Sequence, residues 1–168
     1  MKNFTLAFFA ALLIVSCGDK KEAQAAATGE VKIEKYAVIM EGIYEKDDSI
    51  KVFYQLDNSY KYENPVTARV QGSPLQQRIV IELPENIQPE NLTITVSTNK
   101  QQNMVYIPNV SVKKGEKTLL DGNNFNYSKY FLSDPSFTWV PEGSKYKLSH
   151  ENQYPPSMVG NDELAILL

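Results

Sequence analysis

The chain has one cysteine, one histidine and one tryptophan in 168 residues. A single cysteine forms neither an intrachain disulfide nor a cysteine-based metal cluster. A single histidine leaves imidazole metal sites short of ligands, and nucleophilic triads usually depend on a positioned histidine base. His150, in the polar stretch KLSHENQ, is read as a surface residue. Charge of one sign is also scarce: 17 basic and 20 acidic residues give a net −3, with no Lys/Arg cluster of the kind that marks a nucleic-acid footprint. The eight glycines form no phosphate-cradling loop, and no internal repeat is visible. No cofactor is expected. Long hydrophobic runs are missing too: the longest, Phe4 to Val15, falls short of the ~20 residues that span a bilayer as a helix.

That run raises the question of the lone thiol, because Cys17 stands just beyond it. Lys2 supplies a positive start, FTLAFFAALLIV an apolar stretch, and Ser16 a small residue, the three parts of a secretory signal. Ile14-Val15-Ser16-Cys17 resembles the bacterial lipobox, with Ile14 where leucine is more usual. The resemblance implies a thioether to diacylglycerol at Cys17, cleavage before it, and further acylation of the freed amine. Several chains on one residue anchor stably where one does not, at about 0.8 kcal/mol per buried CH₂. Residues 1–16 are thus read as a lipoprotein signal and 17–30 as the lipidated cysteine and a polar tether. The partner implied is the membrane. Gly18 follows Cys17, which favours the outer membrane; whether the protein faces the periplasm or the surface stays open.

Residues 31–168 read as strands. Ile50, Val52, Tyr54 and Leu56 share one face; Ile79, Ile81 and Leu83 alternate with Val80; Leu92 to Val96 has period two. Met104 to Val112 alternates around Pro108, which cannot donate to a ladder, so that strand is expected at an edge or with a bulge. Val31 to Met40 and the terminal LAILL, Leu164 to Leu168, are the outer candidates, the latter as a buried strand beside the former. Turn signals such as Asp57-Asn58, Gly72-Ser73-Pro74 and Asp121-Gly122 separate them. The fold class predicted is all-β, a single antiparallel β-sandwich, jelly-roll-like. The order DDSIKVFYQLD, RIVIELP, IPNVSV and an aromatic-rich return resembles the jelly-roll accessory domains of secreted Bacteroidota proteins, many of them carbohydrate-binding modules. That likeness implies a glycan role and assigns no ligand residues.

Catalytic and metal chemistry find little support. Asp47, Asp48, Glu82, Glu85, Asp121 and Asp134 could pair as glycosidase acids, but most sit in turns, where aspartate serves the backbone. Asp121 to Asn126, DGNNFN, is oxygen-rich but fails EF-hand spacing. Asp48-Ser49-Ile50 resembles an O-glycosylation acceptor of Bacteroidota. The aromatics say more. Tyr60-Lys61-Tyr62 places two rings on one side of an extended stretch, and Tyr154 precedes two prolines. Tyr60, Tyr62 and Tyr154 are the candidate ligand-binding residues, whereas Phe125, Phe131, Phe137 and Trp139 are assigned to the core. The reading is a non-catalytic binding domain for a glycan or another envelope component. An assembly subunit is the alternative and a hydrolase the remoter one.

Overall fold

A computed structural model describes residues 34–151 and 155–168, so Cys17, the tether and Tyr154 lie outside the described residues. Alternating apolar side chains build a first sheet from β1 (Tyr36–Tyr44), β5 (Ser73–Glu82), β7 (Met104–Lys114), β8 (Lys117–Leu120), β10 (Phe137–Val140) and β11 (Lys145–Leu148). Its order is β10-β11-β7-β1-β5, with β8 also on β7. The second sheet holds β2 (Asp48–Leu56), β3 (Ser59–Tyr60), β4 (Val66–Val70), β6 (Asn91–Thr95), β9 (Phe131–Ser133) and β12 (Ser157–Gly160). Its order is β3-β2-β6-β12-β9, with β4 also on β2. All pairings are antiparallel, and the chain is an all-β sandwich.

The inner faces form one core. Val38 and Met40, Ile79 and Ile81, Val110 and Val112 face Ile50 and Val52, Leu92 and Ile94, and Met158, all buried. Each such aliphatic contributes about 1.5–3 kcal/mol. The alternation read in β2, β5 and β6 is the alternation observed, with Val80 pointing out as expected. Pro108 does mark a bulge: between Glu41↔Asn109 and Ile43↔Tyr106 the register slips, with the extra residue in β7. The strand is nonetheless interior rather than an edge.

The C-terminal run departs from expectation. Asp162–Leu167 form a helix, α1, not a strand. Asn161 caps it, its side chain accepting from the Leu164 amide at 3.2 Å, and Asp162 and Glu163 complement the first turn. Those local signals outweigh the apolar character of LAILL. Leu164 is buried and Leu167 and Leu168 pack on the core, while Ile166 is exposed. The end does lie beside β1, through a hydrogen bond from the Tyr36 hydroxyl to the Leu168 carbonyl at 2.7 Å rather than through pairing.

Asp48 is committed to the fold. Its Oδ1 accepts from the amides of Ser49 (2.7 Å), Thr98 (2.8 Å) and Asn99 (3.0 Å), and its Oδ2 from the Ser97 hydroxyl at 2.6 Å. The carboxylate thereby ties the loop after β6 to the start of β2, a charge-assisted cluster that accounts for an aspartate at this place.

Candidate functional site

The site begins at a two-residue hairpin. Asp57 and Asn58 both have positive φ, 52° and 57°, the conformation that a tight hairpin turn requires and that Asp and Asn tolerate. The Glu90 carboxylate accepts from both turn amides, at 3.1 and 2.8 Å. The turn sets Leu56 opposite Ser59 and Gln55 opposite Tyr60. The Lys61 amide continues the pairing onto the Tyr54 carbonyl at 3.0 Å.

This geometry returns Tyr60 and Tyr62 over the outer face of the second sheet. Their rings stack with centroids 5.4 Å apart and planes at 28°, and Tyr62 leans on Phe53 at 5.3 Å and 55°. The same-side placement expected from the Tyr-Lys-Tyr spacing is observed. Phe53 completes the cluster, and sequence reasoning missed it because the contact depends on the hairpin register. Tyr62 is 59% exposed although two rings hold it. Burial raises the Tyr60 hydroxyl above its ordinary pKa, against the nearby Thr93 hydroxyl, which favours ionisation. Among the described residues the buried Thr93 oxygen has no partner at hydrogen-bond geometry.

From Phe53 the apolar surface crosses the whole sheet. Phe53 stands opposite Thr93, Thr93 opposite Val159, and Val159 opposite Leu132, all on the outer face. Val159 is 40% and Leu132 59% exposed. Polar rows flank this line. On one side Lys51, Thr95 and Ser157 are in register, with the Thr95 and Ser157 hydroxyls 2.9 Å apart. On the other, Gln55 faces Asn91, and a cleft of about 640 Å³ opens between the hairpin and α1, lined by Gln55, Asn58, Glu90 and Asp162 among others. β9 and β12 are too short for periodicity to reveal them, so Leu132 and Val159 gave no signal in the sequence.

The second aromatic group corrects one assignment. Phe131 is buried, and Phe125 and Phe137 pack against the core, but Trp139 is 44% exposed. β10 is the edge strand of the first sheet, and among the described residues no strand lies beyond it. Phe125 and Tyr146 meet the indole edge-on, at 5.3 and 5.0 Å. His150 is half-buried rather than on the open surface, its Nε2–H donating to the Gln102 carbonyl at 2.8 Å. Asp121 accepts from the Asn123 amide and side chain, and Asp134 from the amides of Ser136 and Ser157, so both serve turns. Among the described residues no three of His, Cys, Asp and Glu gather as a metal site.

In comparisons with protein-family models, curated proteins and solved structures, nothing matched the chain.

Proposed function

We propose that the protein is a non-catalytic binding domain of the cell envelope, carried on a lipid at Cys17, and that it takes a glycan on the outer face of the second sheet. The observation that carries this reading is the Tyr60–Tyr62 stack on Phe53. Its outer ring is held in place yet left 59% open to solvent. A rigid aromatic face of this kind packs against the apolar face of a sugar ring at low entropic cost. The side chains of Lys51 and Gln55, the outward neighbours of Phe53 along β2, make no hydrogen bond among the described residues, which leaves them available to hydroxyls.

An array of envelope glycans tests it. The wild-type protein is expected to retain a defined subset, and Tyr62→Ala to lose about tenfold in affinity for it. Tyr60→Ala with Tyr62→Ala is expected to abolish binding while the melting temperature falls by less than about 5 °C. Unfolding of the double variant would make those rings core and end the assignment. The anchor has its own test: with labelled fatty acid, the wild type is expected to carry label and Cys17→Ser none. Label on the serine variant would refute it.

One observation favours the assembly reading. β5, ten residues long, closes the first sheet, and its outer side pairs with no strand among the described residues. Yet the register slips between Gly42 and Tyr44, leaving extra β5 residues around Pro74, and Arg78 and Glu82 point outward. Such bulges, prolines and charges guard an edge against added strands, so binding at the aromatic face is the better reading.

A further inference from the structure

The outer face of the first sheet, opposite the aromatic row, carries a groove of about 420 Å³ with no aromatic residue in its lining. Its floor follows from register: Arg78 stands opposite Glu41 and Glu41 opposite Asn109, and in the next outward row Ile39 stands opposite Ser111. Asn109 is 5% exposed, and its Oδ1 accepts from the Ser111 hydroxyl at 2.7 Å. The Ser111 oxygen in turn accepts from the Gly122 amide at 3.1 Å. Ser111 is therefore committed as both donor and acceptor. The Asn109 Nδ2 amide donates to nothing among the described residues, although it belongs to a side chain lining the groove. The residue is nearly enclosed, but this nitrogen is not among the enclosed unpaired atoms, so it is open to solvent at the groove.

The groups around it narrow the ligand. Arg78 and Lys113 line the groove and form no ion pair among the described residues, while Glu41 and Asp121 line it as acceptors. The Glu41 Oε2 accepts from the Gln76 side-chain amide at 2.9 Å, and its Oε1 has no partner among the described residues. Two cations and two carboxylates balance, so neither an anion nor a cation gains net attraction. What the groove offers is donors and acceptors close together over a small apolar floor at Ile39. The volume lies within the range of small-molecule sites, ~300–1,000 Å³. A hydroxyl both donates and accepts, and a ring bearing several matches this arrangement.

The geometry points to a neutral sugar residue as the ligand of this groove, with Asn109 Nδ2 as its central donor and Arg78 and Glu41 on either side. This site is independent of the Tyr60–Tyr62 reading, since it lies on the other outer face and uses no ring stacking. The test is titration of ¹⁵N-labelled protein with neutral methyl hexosides, and with galacturonate as the charged counterpart. The Asn109 side-chain amide signals and the Gly122 amide are expected to shift saturably with a neutral hexoside. Arg78→Ala, an exposed change, is expected to weaken that affinity by about tenfold, and Lys113→Ala to weaken it less. Unmoved Asn109 signals with every neutral hexoside, a response to galacturonate alone, or unchanged affinity in Arg78→Ala would each overturn the proposal. Shifts confined to the surroundings of Tyr60 and Tyr62 would overturn it while leaving the aromatic site standing.

Discussion

Gly122→Ala is expected to leave the protein unfolded, or less stable by at least about 4 kcal/mol. A Cβ at this position would lie 1.9 Å from the Val110 carbonyl oxygen and 2.6 Å from its carbon. Both are backbone atoms of β7, the strand that pairs with β1, β8 and β11, so neither side can yield cheaply. The same glycine donates its amide to Ser111, and the segment it opens continues to Phe125, whose amide donates to the Pro108 carbonyl at 3.0 Å. Moving Gly122 outward would thus loosen the covering of β7 from Pro108 to Ser111. Chemical denaturation of the purified variant reads the effect directly. A loss under about 1 kcal/mol would show that the close approach is relieved by a small shift, contrary to the geometry.

The second large effect is alkaline. Tyr44 is fully buried, and its hydroxyl donates to the Val96 carbonyl at 3.1 Å. Burial, with the Asp48 charge nearby, pushes its pKa far above the ordinary tyrosine value. Tyr127 is buried too and donates to the Ile107 carbonyl at 2.9 Å. Burial, then the hydrogen bond that Tyr127 directs at the Tyr146 hydroxyl, pushes it up likewise. In the unfolded chain both ionise near pH 10, whereas in the fold they stay protonated. The unfolded state therefore binds fewer protons above about pH 10, and stability falls as pH rises. The contribution is fully present below the unfolded pKa and declines by about 1.4 kcal/mol per pH unit for each tyrosine. Denaturation midpoints between about pH 9 and 11.5 should fall steeply, and Tyr44→Phe with Tyr127→Phe should flatten the fall. A flat wild-type profile would mean that these hydroxyls are not shut away from water.

The parts of this architecture legible in advance were those where a local pattern is long enough to carry a period. In β2, β5 and β6 the alternation of Ile50, Val52 and Tyr54, of Ile79 and Ile81, and of Leu92 and Ile94 states which face is buried. What stayed hidden depends on neighbours distant in sequence. Phe137 and Trp139 alternate as inward residues do, but only the strand order reveals that β10 is an edge and the indole half-open. LAILL has the composition of a strand, yet Asn161, Asp162 and Glu163 before it start a helix. The spacing of Tyr60 and Tyr62 foretold two rings on one side. The Phe53 beneath them, and the line on to Val159 and Leu132, come from register across four strands. Asn109 was hidden for the same reason: its neighbours Glu41 and Arg78 come from two other strands.

The two outer faces make different offers. The second sheet presents stacked rings and a hydrophobic line between polar rows, a surface that on the proposed reading would select by shape and apolar contact. The first presents a charge-balanced polar groove, which on the proposed reading would select by hydroxyl pattern. A sandwich leaves both faces free because its core is satisfied between the sheets, and the clamp at Asp48 and the hairpin held by Glu90 supply rigidity without occupying either face.

The central claim is that the Tyr60–Tyr62 pair touches ligand. Intermolecular nuclear Overhauser contacts, recorded on the complex with whichever array glycan binds tightest, test it most directly. The account predicts contacts from the sugar ring protons to the ring protons of Tyr62 and Tyr60. A bound glycan whose contacts reach neither tyrosine would contradict it.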